Sequence, residues 1–138
     1  MKMFICHDGS ENAQSALEKS LAMLNCVKPQ VILGTVFEEP ADASSYDEAA
    51  FEEWRASREA DVKKAADWVV KQGFDVDVIM AIGDPRKMLV EAVKKKNPDL
   101  VVVASRPPKG GVRFGNITVS VSDYLIHHVT ECPVLIMQ

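Results

Sequence analysis

Apolar positions along the chain fall into short continuous runs, separated by longer stretches in which they recur every three or four residues. Lys2 to Cys6 is the first run and predicts a strand; it stops at the turn cluster His7-Asp8-Gly9-Ser10. Ser10 is a good helix N-cap, and Glu11 sets a negative charge in the first turn. Ala13, Ala16, Leu17, Leu21 and Leu24 then recur at helical spacing, and Pro29 closes the connection. Val31 to Phe37 predicts a buried strand and the polar residues 38–47 a loop. A long helix from about Tyr46 to Gln72 carries Phe51, Trp54, Val62, Ala65, Ala66 and Val69 on one side, and Gly73 ends it.

The second half repeats the alternation. Val76 to Ala81 predicts a third strand. In Gly83-Asp84-Pro85, Asp84 is the cap and Pro85 takes the first helical position, where a missing N–H costs nothing. Met88, Leu89, Ala92 and Val93 form the apolar stripe of that helix. Lys94, Lys95 and Lys96 sit at its C-terminal end, where cations interact favourably with the helix dipole. Leu100 to Ala104 is apolar throughout, as expected of a strand buried on both faces of a parallel sheet. A Pro- and Gly-rich loop over Ser105 to Thr118, a helix over about Val119 to Val129 and a strand over Pro133 to Met137 complete the pattern. Strands alternating with helices predict an α/β domain with a parallel sheet and right-handed crossovers. In such sheets ligands bind beyond the carboxyl ends of the strands, where the strand order reverses. Three segments are thereby nominated: Cys6-His7-Asp8, the stretch after Val36, and Ser105 to Ser122.

Composition narrows the function classes. With 138 residues, one domain over 1–138 is expected, and a chain of that size buries roughly 68% of its unfolded surface. A net charge of −4 argues against a nucleic-acid-coating surface. Cys6, Cys26 and Cys132 form neither a CxxC nor an even-numbered disulfide framework and read as reduced thiols, two of them in apolar strands. With no apolar run long enough to span a membrane and no signal-peptide core, a cytoplasmic protein is expected. The chain holds no GxxxxGK[ST], GxSxG or GxGxxG motif. His127 and His128 are adjacent, so a helix points them apart and they do not make a metal pair. A response-regulator receiver would need an acidic cluster after the first strand and a phospho-accepting Asp after the third; Asp8 stands alone, and Asp84 is already explained as a cap.

Three stretches, taken together, resemble the universal stress protein family. They are "ICHDGSENAQSALEKSL", "GDPRKMLVEAVKKKNPDLVVVASR" and "SVSDYLIHHVTECPVLIM", with Gly83-Asp84-Pro85 and Cys132-Pro133-Val134 carrying most of the likeness. The resemblance implies a five-stranded, parallel, doubly wound sheet of order 3-2-1-4-5 with helices on both faces. It also implies an adenine nucleotide (ATP, ADP or AMP, with Mg²⁺ accompanying ATP) at the switch point between strands one and four. Carried over, the nucleoside and base would meet His7, Asp8, Val36 and Val103. The phosphates would lie by Ser105, Arg106, Ser120, Val121 and Ser122. The family's phosphate motif G-x2-G-x9-G-[ST] is broken here: Ala104 and Val119 align with its first and last glycines, and the second falls near Pro107. Gly110, Gly111 and Gly115 remain in the loop, with Arg106, Lys109 and Arg113 among them.

Each named residue also has a plain structural role open to it. Ser120 or Ser122 can cap the last helix, hold a phosphate, or do both. Asp8 can meet a nucleoside or tie its own turn. Two functions are compatible with these roles. One is a regulator that binds an adenine nucleotide without fast catalysis. The other is a dimeric stress-response module that binds no nucleotide and acts through protein contacts. The resemblance implies a homodimer through strand 133–137 in either case, since a short apolar edge strand pairs readily with another chain.

Overall fold

The computed structural model describes residues 1–38, 47–105 and 121–138. Strands β1 (Lys2–Cys6), β2 (Gln30–Phe37), β3 (Val76–Ile82), β4 (Leu100–Ala104) and β5 (Val134–Met137) form one sheet in the order β3-β2-β1-β4-β5. All four pairings are parallel, with Phe4 opposite Ile32 on one side and Val101 on the other. The chain winds outward from β1 through β2 to β3, then crosses back to β4 and β5. The switch point therefore lies between β1 and β4, as the family resemblance implies.

Strand alternation splits the core into two layers. Met3, Ile5, Val31, Leu33 and Val102 face one side, packed with Leu17 and Leu21 of helix α1 (Glu11–Leu24) and Ala65 and Val69 of α2 (Glu48–Lys71). Phe4, Ile32, Val101 and Val103 face the other side. There they meet Leu89, Val90 and Val93 of α3 (Pro85–Lys96) and Leu125 of α4 (Val121–His128). Helices thus cover both faces.

The caps stand where the pattern places them. Ser10 accepts the Ala13 N–H at 3.2 Å, Asp84 accepts the Arg86 N–H at 3.0 Å, and Pro85 opens α3. Several boundaries shift. α2 begins at Glu48, because Asp47 is its cap and accepts the N–H groups of Ala49 and Ala50; Tyr46 lies outside the described residues. α4 is described from Val121, residues 119 and 120 lying outside the described residues, and its last residue is His128. β5 begins at Val134, since Pro133 has no N–H for the ladder and takes part only through its carbonyl, which accepts the Val101 N–H at 3.0 Å.

Three side-chain expectations are corrected. Trp54 is not a core residue: it is 43% exposed and lies against Phe37 (edge-on, 5.9 Å) and Phe51 (5.8 Å) near the start of α2. On α3 Leu89 and Val93 are buried as expected and Ala92 packs partly buried against them, but Val90 joins the buried stripe while Met88 is only half-buried. Of the cysteines only Cys6 lies within a strand; Cys26 is exposed in the 3-10 turn Asn25–Val27, and Cys132 precedes β5.

Candidate functional site

The C-terminal ends of β1, β2 and β4 bring the first group of candidate residues together. Cys6 pairs with Gly34 in the β1–β2 ladder, and Val36 lies two residues beyond. Val103 lies on the same face as Val36, and both pack in the layer under α3 and α4. Val121, the first described residue of α4, packs partly buried against that layer. Ser122 is next and lies within the helix, so it is not the residue that precedes and caps it. Ser105 continues from β4 and donates its N–H to Met137 O at 2.8 Å. Arg106 and Ser120, with the rest of 106–120, lie outside the described residues, as does the altered glycine pattern beyond Ala104, the last residue of β4.

The loop after β1 is built from side-chain bonds to its own backbone. Asp8 Oδ1 accepts the Ser10 N–H at 2.9 Å, so Asp8 does tie its turn. His7 Nδ1 accepts the Gly9 N–H at 3.0 Å. Gly9 sits between these two bonds with φ +83°, in the left-handed region. A Cβ there would also press to 3.2 Å on Asp61 Cβ and 3.3 Å on Arg58 Cδ of α2. The neighbouring α2 and the backbone conformation both call for glycine.

His7 differs from the other candidates. Its side is set by strand alternation: Val36 and Val103 face α3 and α4, whereas the His7 ring reaches α1, where its Nε2 lies 3.3 Å from Gln14 Oε1. The residue is 3% exposed. Burial lowers its pKa below the ordinary 6.5, opposed by the Gln14 bond and by the charges of Asp8 and Asp61. Its geometry is that of a support beneath the Asp8 loop. The thiol of Cys6, one residue earlier, is pushed up to about 12, by burial first and Asp8 second, and stays protonated.

Gln14, Arg58 and Asp61 are members of this loop's surroundings that the sequence pattern does not single out. Gln14 is the one with a local signal, a polar residue in the first turn of an Ala-rich helix that comes after a histidine. Arg58 and Asp61 reach the loop from about 50 residues away along the chain, and only the fold brings them there. Across the α3–α4 side, Arg86 stands 5.9 Å from the Tyr124 ring, which stacks on His128 at 3.8 Å. His127 and His128 donate from Nδ1 to the carbonyls of Asp123 and Tyr124, one turn back. They are anchored separately to α4.

A parallel doubly wound sheet with order 3-2-1-4-5 and an Asp-Gly-Ser loop after β1 defines a class of α/β proteins whose strand order reverses between β1 and β4. Residues 1–138 match the family model of the Universal stress protein family, and the chain belongs to that family. It is 28% identical to Universal stress protein Sll1388 of Synechocystis sp., over 99% of this chain and 97% of that protein. Universal stress protein UspA from Lactobacillus plantarum has the same fold, with a TM-score of 0.77 at 17% identity, over 100% of this chain and 97% of that one. So does the Arabidopsis thaliana family protein At3g01520, solved with AMP bound, with a TM-score of 0.69 at 19% identity over 99% of this chain and 90% of that one. Other structures of this fold hold cAMP, and dAMP in the protein from Archaeoglobus fulgidus, at 20% and 18% identity.

Proposed function

We propose that this chain is a cytoplasmic regulator of the universal stress type that binds an adenine nucleotide at the β1/β4 switch point and does no fast chemistry on it. The observation that carries the reading is the meeting of the Asp8 loop, Val36 and Val103 at the carboxyl ends of three adjacent strands. The adenine complexes of other proteins with this fold support it. In this reading Asp8 contacts the nucleoside, and Val36 and Val103 flank the base. Ser105, Arg106, Ser120, Val121 and Ser122 serve the phosphates. Helix N–H groups there favour an anion even without the family's last glycine.

The test is a thermal melt of nucleotide-stripped protein against AMP, ADP and ATP, with and without Mg²⁺. A nucleotide at ~100 times its dissociation constant adds roughly 2.7 kcal/mol, a shift of several degrees. No shift with any of the three at millimolar concentration would refute the reading. The alternative, a module working through protein contacts, is favoured by one feature. β5 pairs only with β4 among the described strands, and Ile136 on it is 37% exposed. A homodimer through this edge is proposed under either reading; a monomer in solution scattering at micromolar concentration would overturn it.

A further inference from the structure

We infer that His7 is a proton-operated latch on the Asp8 loop: the neutral ring holds the loop closed by accepting the Gly9 N–H, and protonation at Nδ1 turns that acceptor into a donor and releases the loop. The latch deepens the proposed function, since it rests on Asp8 meeting the nucleoside.

The hydrogen-bond geometry selects one tautomer. Gly9 can only donate through its N–H, so Nδ1 at 3.0 Å carries a lone pair. The ring proton is then on Nε2, which donates to Gln14 Oε1 at 3.3 Å. Gln14 has its amide oriented by a second bond: its Nε2 donates to Glu18 Oε1 at 2.9 Å, which leaves Oε1 toward the ring. Gly9 N–H, His7, Gln14 and the Glu18 carboxylate thus form one directional chain from the loop to the surface of α1. The ring's backbone is held as well, since the His7 N–H donates to Gly34 O of β2 at 2.9 Å.

A second proton has one place to go, Nδ1, where it meets the Gly9 N–H head-on. The loop loses its bond at Gly9 and two donors face each other. The charged groups around the ring determine how the imidazolium is then satisfied. Asp8 of the loop and Asp61 of α2 both act on His7, with Arg58 of α2 beside Gly9 and Glu18 of α1 reached through Gln14. The other near neighbours, the Cys6 thiol on β1 and the Gly34 carbonyl on β2, carry no charge. An imidazolium is drawn to the Asp8 and Asp61 carboxylates. Asp8 then has to serve the imidazolium, Ser10 N–H and the nucleoside at once. Burial favours the neutral ring, so the latch stays closed at neutral pH and opens in acid.

The experiment uses the full chain labelled with ¹⁵N and has two arms. Long-range ¹H–¹⁵N spectra of the wild type read the His7 tautomer and its titration, while hydrogen exchange reads the Gly9 amide. We expect the Nε2–H tautomer at neutral pH, and Gly9 protection lost in step with His7 protonation. An Nδ1–H tautomer, or Gly9 protection unchanged while His7 takes up its proton, would overturn the latch without need of any variant. The second arm titrates AMP at stepped pH. Wild-type affinity should fall by about tenfold per pH unit once the ring titrates. In His7→Asn, the amide oxygen replaces Nδ1 as acceptor and cannot take up a proton, so affinity should hold level with pH. A parallel fall in His7→Asn would count against the latch. Absence of AMP binding at every pH would sink the nucleotide reading alone, and the Gly9 amide would still decide the latch.

Discussion

Gly34→Ala tests how closely the site's foundations are packed. Gly34 sits in β2 opposite Cys6, and a Cβ added there would fall within the ring of Phe4. Phe4 is fully buried among Ile32, Val101 and Leu125, so the ring has little room to yield. Overpacking of this kind costs about 1–3 kcal/mol. The loss of a glycine's freedom in the unfolded chain returns about 0.4–1 kcal/mol. The net destabilisation is therefore about 1–2 kcal/mol, or a Tm lower by roughly 3–7 °C for a domain of this size. Thermal and urea melts of wild type, Gly34→Ala, Phe4→Leu and the double variant measure it as a cycle. If the ring is the obstacle, Phe4→Leu leaves room for the new methyl, and the double variant is more stable than the sum of the singles by about 1 kcal/mol. A Gly34→Ala protein as stable as wild type, or strictly additive behaviour in the double variant, would refute the packing argument. The consequences reach the site, because the Gly34 carbonyl also holds the His7 N–H.

Four further outcomes are expected. Burial lowers the folded-state pKa of His7 below 6.5, so below that pH the unfolded chain takes up more protons; the stability due to the neutral ring is complete above 6.5 and is lost as pH falls from there through the folded value. Urea midpoints at stepped pH should show this decline in wild type and less of it in His7→Asn; identical profiles would refute it. Alkylation of the native protein with detection by mass spectrometry should modify exposed Cys26 first, and Cys6, with a pKa of about 12, only on unfolding. Asp8→Ala removes the acceptor for the Ser10 N–H and the proposed nucleoside contact, and AMP affinity measured by calorimetry should fall by the about 1.5–3 kcal/mol typical of a charged hydrogen bond; unchanged affinity would count against Asp8. Ile136→Lys on the β5 edge should turn the proposed dimer into a monomer in sedimentation, since a charge on an edge strand opposes strand pairing.

The fold is legible because each element carries its own signal. The all-apolar run Leu100 to Ala104 announces a strand buried on both faces, and Ser10 and Asp84 announce the helices that begin just after them. Misreadings arise where a local signal has two physical uses. Trp54 shares the apolar stripe of α2, but the stripe outruns the sheet beneath it, and the indole ends on Phe37 and Phe51, half in solvent. Asp47 has the polar character of the loop before it, yet its carboxylate caps α2. The site is legible to the extent that it lies at strand ends, which periodicity locates. Its support is not: the approach of Arg58 and Asp61 to Gly9 depends on how α2 crosses the sheet, and no spacing in the sequence encodes that.

The two faces of the sheet divide the work at the switch point. Val36 and Val103 face α3 and α4, so their packing is shared with the core residues Phe4, Ile32 and Leu125. A substitution at either valine therefore disturbs the apolar layer as well as any base held against it. His7 and Gln14 work from the α1 side, and their contribution is the shape of one loop. The loop can thus change its geometry with protonation while the apolar walls stay as they are, because β1 and β4, paired from Met3 to Ile5, stand between the two layers. Base selection and loop closure are then separable by mutation. Valine changes should alter affinity at every pH together with stability, whereas changes at His7 should alter the pH at which affinity is lost.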